Sequence, residues 1–328
     1  MTRNLFAVSC VFLVFLTSAC IAQKPKEIID PKVVAEDPDY AVQGEYVGLA
    51  NDGAGSSGFL GAQVVARGNG KFDAKLLIGG LPGEGWGRYD DVIPMQGERE
   101  GDQVVLKNDM GTAIIADGKM TLKGNDGQSG ELKKTVRKSP TLGKKPPEGA
   151  VVVFDGTSAE KFDHGEVTEW GTILSGITTK DQFDGKYRIH LEFMLSWMPQ
   201  ATGQARSNSG VYLHDCYEIQ VLDSFGLEGK DDECGGIYSV SAPSVNMCFP
   251  PMTWQTYDIE FTAPKYEDGK KVKNARATVR HNGVVIHDDV ELNPTPGRQP
   301  EGPGPRPFHL QGHGNKVQYR NVWVKQLD

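Results

Sequence analysis

Three turn signals constrain this chain more than any other feature. Each is a two-residue Asn-Gly or Asp-Gly pair between two short β-type runs: Asn69-Gly70, Asp117-Gly118 and Asn282-Gly283. A two-residue hairpin loop needs positive φ at both positions, and these pairs adopt it with little strain. Hardly any stretch of the chain has the 3.6-residue periodicity of a helix. The sequence therefore predicts an all-β protein of packed antiparallel sheets.

Composition excludes several classes of protein. The 328 residues include 40 Gly and 19 Pro, but Gly has no three-residue period, so the chain is not collagen-like. An apolar content of 38% is too high for a disordered chain. The net charge of −8 argues against a nucleic-acid partner, whose binding needs clustered Lys and Arg.

The first 22 residues predict an export signal. Arg3 precedes an apolar core at 5–16, and small residues follow at 17–19. The core of about 12 residues is shorter than the ~20 that a membrane-spanning helix needs. No other run is as apolar, so we expect no transmembrane span. The expected location is periplasmic, extracellular or on the outer surface.

Two alternatives exist for removal of this segment. Residues 17–20 resemble a bacterial lipobox, in which Cys20 would carry a lipid anchor. Cleavage after Ala19 or Ala22 fits equally well. The polar stretch 23–40 would then be a tether or an ordered arm.

Proline-rich segments divide the remaining chain. Residues 138–149 (KSPTLGKKPPEG) predict an extended linker between a Gly-rich β module at 41–137 and a larger β domain at 150–328. A second Pro/Gly-rich stretch, 293–307, predicts a long loop before the last two strands.

The larger domain contains long β-type runs with good alternation. Along 256–262, Tyr257, Ile259 and Phe261 share one face. Long antiparallel strands with a hairpin and a long loop predict a two-sheet jelly-roll sandwich. The predicted strands are 187–195, 209–213, 216–223, 256–263, 275–281, 307–313 and 317–327.

Three cysteines follow the leader, which itself holds Cys10 and Cys20. An exported protein can keep disulfides, but three cysteines cannot all pair. Cys234 and Cys248 flank one loop and are the predicted disulfide, with Cys216 free. The alternative is that all three are reduced and pack as small apolar residues.

Seven ordered motifs carry a resemblance to a known family: VVVFDGTS (151–158), SNSGVYL (207–213), YEIQVLDS (217–224), CGGIY (234–238), TWQTYDIEF (253–261), HNGVVI (281–286) and LQGHGNKVQYRNVWV (310–324). Together they resemble the 3-keto-disaccharide hydrolase domain over about residues 150–327. The resemblance implies a concanavalin A-like jelly roll and activity on glycosides oxidised at C3.

The predicted strand YEIQVLD (217–223) shows which acidic residues are available to cleave a glycosidic bond. Glu218 and Gln220 alternate onto one face, so the second acid of a paired-carboxylate glycosidase is missing there. A 3-keto sugar does not need that pair. The ketone acidifies the proton on C2, and its removal allows the group on C1 to be expelled before water adds. One base and a stabiliser for the enolate oxygen suffice.

The candidate base is Glu218 or His313. We expect Gln311 and His313 to share one strand face and to meet Glu218 in one groove. The predicted substrate-binding residues would orient the sugar or stabilise the oxyanion, and they are Asn208, Gln220, Gln311, Arg320, Trp254 and Tyr238.

Two alternatives remain open. His214, Asp215 and Glu218 suggest a divalent metal ion, although adjacent strand residues point to opposite faces unless they lie in a turn. No motif for another cofactor is present. A non-catalytic carbohydrate-binding protein on the same fold is the alternative function.

Overall fold

The structure, a computed structural model, describes residues 26–296 and 298–328. The predicted signal at 1–22 and the two alternatives for its removal, including a lipid anchor at Cys20, lie outside these residues. Almost all regular structure is β, which confirms the predicted class. In the described ranges no helix has both the length and the apolar character to cross a bilayer.

An N-terminal arm contains two short helices, α1 (Pro31–Val34) and α2 (Pro38–Val42). Each begins with an Asp whose side chain accepts a backbone hydrogen bond, and each has Pro at its first position. Ile28 exchanges backbone hydrogen bonds with Trp197 at 3.0 and 2.8 Å. The sequence analysis allowed a tether or an ordered arm at 23–40, and the described residues 26–40 form an ordered arm.

A closed eight-stranded barrel follows the arm, in the order β1-β10-β9-β8-β7-β6-β3-β2. The short strands β4 and β5 pair with each other in the loop before β6. The strands are β1 (Gly44–Asn51), β2 (Ser57–Gly68), β3 (Lys71–Ile78), β4 (Leu81–Pro82), β5 (Gly85–Trp86), β6 (Val92–Glu100), β7 (Gln103–Asn108), β8 (Gly111–Ala116), β9 (Lys119–Gly124) and β10 (Ser129–Thr135).

Alternating apolar residues fill the inner half of this barrel, with Tyr46, Phe72 and Met120 at most 1% exposed. The pairs Asn69-Gly70 and Asp117-Gly118 connect β2 to β3 and β8 to β9. All four residues have positive φ, between 49° and 73°. The predicted hairpins are confirmed.

The second unit is a two-sheet sandwich that also contains a 3-10 turn at Gly203–Ala205. Its strands are β11 (Val151–Phe154), β12 (Ile173–Leu174), β13 (Ile177–Thr178), β14 (Lys186–Met194), β15 (Ser209–Leu213), β16 (Tyr217–Val221), β17 (Trp254–Thr262), β18 (Lys265–Glu267), β19 (Lys270–Lys273), β20 (Arg276–His281), β21 (Val284–Glu291), β22 (His309–Leu310) and β23 (Gln318–Gln326).

The larger sheet has the order β11-β23-β14-β17-β20-β21, with β12 also paired to β23. The smaller sheet has the order β13-β22-β15-β16. Their inner faces form one core, in which Leu191 and Phe193 of β14 join Val211 of β15 and Ile219 of β16. This is the predicted jelly-roll sandwich.

One predicted strand, 307–313, is much shorter than expected, because β22 ends at Leu310. Gly312 lies against Gly176, where a Cβ would come within 2.9 Å of the Gly176 Cα, and Gly314 has φ of 80°. The Gln311 N–H still donates to the Gly210 carbonyl oxygen at 2.8 Å, and the exposed residues 312–314 follow it. The third predicted hairpin pair connects β20 to β21, and both its residues have positive φ.

The segment predicted as a linker crosses the outer face of the larger sheet. The Ser139 hydroxyl bonds to that of Thr256 on β17 at 2.6 Å, and the Gly143 N–H donates to Glu192 Oε1 on β14 at 2.6 Å. Lys144 Nζ donates to Asp258 Oδ1 at 3.2 Å. These contacts hold the segment against the sandwich.

Candidate functional site

Polar side chains collect on the outer face of the smaller sheet, where β22, β15 and β16 lie side by side. Tyr212 of β15 lies opposite Glu218 of β16 and, on its other edge, opposite His309 of β22. Gly210 lies opposite Gln220. Alternate residues of the same strands face the core: Val211, Leu213, Ile219, Val221 and Leu310. Strand alternation therefore places the polar set together.

Glu218 is a buried acid in this set, with 3% of its surface exposed. Its Oε2 accepts a hydrogen bond from the Tyr212 hydroxyl at 2.7 Å. Gly210 makes room for the carboxyl group, because a Cβ there would lie 2.2 Å from Oε1. Burial raises the pKa of Glu218 to about 7, against the lowering effect of the Tyr212 hydrogen bond. A carboxyl group with this pKa can take up and return a proton near neutral pH.

The raised pKa predicts a pH-dependent stability that Glu218→Gln removes. Between the usual pKa of 4.5 and about 7, the folded protein binds more protons than the unfolded chain. The free energy of unfolding therefore falls as pH rises through this window, by on the order of 3 kcal/mol. The melting temperature of Glu218→Gln minus that of the wild type should therefore increase between pH 4 and pH 9, because only the wild type loses this contribution. A constant difference in melting temperature across that range would contradict the prediction.

Amide side chains surround the acid. Gln311 Nε2 donates to the Tyr212 hydroxyl at 3.2 Å. Asn208 Nδ2 donates to Gln204 Oε1 at 2.8 Å, and Gln220 Nε2 donates to the same oxygen at 3.2 Å. In the described part of the chain, Asn208 Oδ1 and Gln311 Oε1 are buried without any hydrogen-bond partner. Such acceptors cost about 1–3 kcal/mol each, and ligand hydroxyl groups would satisfy them.

A neutral imidazole, His309, lies at the far edge of Tyr212. The two ring centroids are 5.9 Å apart, and His309 Nδ1 lies 2.9 Å from Thr178 Oγ1. Burial, and then the charge of Arg298, lowers the pKa of His309 to about 4. The imidazole is therefore uncharged at neutral pH and can act as a hydrogen-bonding group.

The long loop after β21 brings a cation to the site. Arg298 Nε donates to Asp215 Oδ1 at 2.9 Å, and its guanidinium carbon lies 5.6 Å from the Tyr212 ring centroid. In the same loop, Thr295 Oγ1 accepts the Glu218 N–H at 3.0 Å. The loop thus places a positive charge beside the ring that holds the Glu218 carboxyl group.

Several predicted residues meet around Glu218. Asn208, Gln220 and Gln311 line this face as described above, and the Tyr238 N–H donates to the Glu218 carbonyl oxygen at 3.1 Å. Tyr238 is half-buried. The site thus contains four of the six predicted substrate-binding residues.

His313 does not join them. It lies in an exposed loop three residues beyond the end of β22, and within the described residues it has no hydrogen-bond partner. The prediction that Gln311 and His313 share a strand face is wrong, because the strand ends before both. The imidazole that the sheet places near Tyr212 is that of His309.

Arg320 and Trp254 belong to the other sheet. They lie on β23 and β17, and the Arg320 guanidinium carbon is 3.9 Å from the Trp254 ring centroid. Arg320 Nε donates to Glu192 Oε2 at 2.7 Å, so the arginine pairs with an acid across the larger sheet. Their expected place beside Glu218 is wrong, because β17 and β23 pair in the opposite layer of the sandwich.

The predicted Cys234–Cys248 disulfide is absent from the described residues, where Cys216, Cys234 and Cys248 are all free and buried. Cys234 Sγ lies 3.3 Å from the Tyr257 hydroxyl, and Cys248 Sγ donates to the Leu222 carbonyl at 3.6 Å. The thiols fill small niches of the core and find weak polar partners there.

The residues of the suggested metal set bind different partners, although His214 and Asp215 do lie in a turn. His214 and Asp215 both have positive φ between β15 and β16. His214 Nε2 lies 2.9 Å from the Phe183 carbonyl oxygen, whereas Asp215 bonds to Arg298. Across residues 26–296 and 298–328, no group of three His, Cys, Asp or Glu side chains could hold a metal ion.

The site residues that the sequence analysis did not assign include His309, Thr295 and Arg298. His309 had a usable signal, since it precedes Gln311 by two positions in PFHLQGH and so shares its side of the chain. No sequence pattern indicates Thr295 or Arg298 as site residues, because they lie in a loop whose path depends on tertiary contacts.

The fold and the site define an all-β sandwich protein with a buried acid, Glu218, among amide and hydroxyl side chains. A model of the 3-keto-alpha-glucoside-1,2-lyase-like domain matches residues 115–325, more than half of the chain, and the protein belongs to this family. It is therefore a glycoside-acting enzyme in general terms. The match begins in β8, earlier than the expected start near residue 150.

Two similar solved structures come from Parabacteroides distasonis, and each is described as a candidate glycosyl hydrolase. The first is 28% identical with a TM-score of 0.49 and covers 55% of this chain and 85% of its own. The second is 18% identical with a TM-score of 0.39 and covers 55% of this chain and 95% of its own. Comparison with curated proteins gives no match.

Proposed function

We propose that the protein cleaves the glycosidic bond of 3-keto glycosides, with Glu218 as the base that removes the C2 proton. The observation that carries the proposal is the Glu218 carboxyl group, which is 3% exposed on the outer sheet face and held by the Tyr212 hydroxyl at 2.7 Å. Burial raises the pKa of this group to about 7. Gln220 occupies the next outward position on β16, so this strand offers one acid and one amide. Elimination needs one such acid, whereas ordinary glycoside hydrolysis needs two.

The reaction runs in two stages. The Glu218 carboxylate takes the proton from C2, and the electron pair of that C–H bond forms an enolate with the C3 carbonyl. The enolate then expels the group on C1, so that the C1–O bond breaks with its electrons and the leaving oxygen receives a proton. Water next adds across the new C1–C2 double bond, with hydroxyl on C1 and hydrogen on C2. The net result is hydrolysis.

The surrounding residues have separate tasks in this scheme. Arg298 supplies the positive charge that stabilises the enolate oxygen. Asn208 Oδ1 and Gln311 Oε1, which are buried and unpartnered in the described structure, accept hydrogen bonds from sugar hydroxyls. Tyr212 orients the Glu218 carboxyl group through their 2.7 Å hydrogen bond. Neutral His309 contributes hydrogen bonding at the edge of the site.

Purified protein incubated with a glycoside and with its 3-keto form tests the proposal. We expect release of the C1 group from the keto form alone. In deuterium oxide, the C2 position of the product should carry deuterium, because that proton exchanges with solvent during elimination and rehydration. Chelator should leave the rate unchanged if the protein residues suffice.

Other outcomes separate the alternatives. Product formation without deuterium at C2 would indicate direct hydrolysis and overturn the mechanism. Saturable sugar binding with no turnover of either form would favour a carbohydrate-binding protein. Loss of the rate with chelator, restored by one added divalent ion, would replace Arg298 with a metal as the enolate stabiliser.

A further inference from the structure

We propose that the open end of the barrel binds a small, uncharged apolar molecule or alkyl chain. The barrel cup is the recess formed by the outer half of the barrel interior, with a volume of about 470 Å³. Six inward side chains form its apolar wall: Ala50, Leu60, Leu76, Ile93, Met95 and Leu122. The cup belongs to a different unit of the chain from Glu218 and is independent of the proposed reaction.

The barrel is closed at one end only. Val34 of α1 and Trp197 of the sandwich belong to the same buried cluster as the barrel interior, and Tyr40 packs edge-on against Trp197 at 5.4 Å. At the other end, the interior residues Ala50, Ile93 and Leu122 are only partly buried. An eight-stranded barrel has room for one small ligand where side chains do not fill it.

Small residues keep the outer half of the barrel empty. Gly111 and Gly124 face each other across β8 and β9, and Gly130 lies beside Ala50 across β10 and β1. The inner half is instead filled by large side chains such as Tyr46 and Phe72. The step from large to small residues along the barrel axis creates the recess.

The chemistry of the cup selects an apolar occupant. No charged side chain belongs to its wall, and Asp52 and Lys123 lie at the rim. Ile78 and Met110, also at the rim, are 49% and 57% exposed, although both are apolar. Covering such surface is favourable by about 25 cal/mol per Å². Met adapts readily to ligands of different shape.

The shape of the cup favours a small molecule over a protein partner. A closed ring of strands surrounds the recess, so a flat protein surface could cover only the rim. Its volume of about 470 Å³ lies within the range of about 300–1,000 Å³ that is usual for small-molecule sites. The inner wall is apolar, and the polar side chains that line the recess, such as Ser56, Asn108 and Gln128, are exposed or half-buried.

Titration of the whole protein with the apolar fluorophore Nile red tests the proposal. We expect one saturable site, displaced by decanol and not by glucose. Ala50→Trp fills the cup and should weaken binding at least about tenfold. Leu49→Trp is the matched control, because the neighbouring Leu49 points outward and is 57% exposed. Ile93→Trp repeats the test from another wall, in case Ala50→Trp does not fold.

Equal affinity in Ala50→Trp, Ile93→Trp and Leu49→Trp would place the probe elsewhere and overturn the proposal. So would displacement by glucose, or the absence of saturable binding to the wild type. Self-association that depends on Ile78 and Met110, with no displacement by decanol, would show instead that a second copy covers the rim. The readout is binding of the fluorophore and not enzymatic turnover. A negative result for ligand binding in the barrel cup is therefore distinct from a negative result for catalysis by Glu218.

Discussion

Glu218→Gln should lower kcat/KM on a 3-keto glycoside by roughly 10²–10⁴-fold, the range for loss of a general base. Gln keeps the volume of the side chain and can still accept the hydrogen bond that the Tyr212 hydroxyl gives at 2.7 Å. The pocket left by Gly210 also remains filled. The loss should therefore appear in kcat, while KM changes little, because the substituted group acts on the C2 proton rather than on sugar binding.

A matched control and a pH profile sharpen this result. Glu169→Gln makes the same substitution at an exposed position of the sandwich and should leave turnover unchanged. In the wild type, kcat/KM should rise with pH and level off above about 7, because a base must be ionised. Turnover by Glu218→Gln at the wild-type rate would remove Glu218 from the mechanism. A rate that falls above pH 7 would make the carboxyl group an acid instead.

Local sequence patterns were sufficient to predict that Glu218 and Gln220, at the centre of the site, lie on one face of a strand. Strand alternation in YEIQVLD puts Glu218 and Gln220 on one face, and the structure has them on the outer face of β16. Period-2 alternation depends only on backbone geometry, so it holds wherever a strand forms.

The choice of sheet could not be predicted in this way. Arg320 lies on a correctly predicted strand, and Trp254 lies two residues before the predicted start of another. Both strands pair in the larger sheet, where Arg320 reaches Glu192. Which layer a strand joins depends on contacts between distant segments. The prediction for His313 was wrong for a different reason, because β22 ends at Leu310 and His313 lies in the exposed loop beyond it. Arg298 reaches the site along a loop that has no periodicity.

Arg137→Ala should cost about 3–5 kcal/mol of unfolding free energy, because it leaves a buried carboxylate without its cation. Arg137 and Glu45 have 7% and 1% of their side-chain surface exposed. Two hydrogen bonds join them, at 2.8 Å from Nε and 2.6 Å from Nη2. Arg137 also donates to the Pro82 carbonyl at 2.7 Å and lies over the Phe249 ring at 4.9 Å. The pair thus connects the barrel to the sandwich.

Denaturant unfolding of the whole chain measures this cost, and a double variant identifies its source. Glu45→Met with Arg137→Met should recover much of the stability that Arg137→Ala loses, since two apolar side chains of similar length leave no buried charge. Lys119→Ala removes a control ion pair with Glu131, where both side chains are 54% exposed and 3.4 Å apart. It should cost at most about 1 kcal/mol. If Arg137→Ala costs no more than this control, the buried pair does not hold the two units together. If the double variant is as unstable as Arg137→Ala, the loss comes from missing contacts with Pro82 and Phe249 rather than from the unpaired carboxylate.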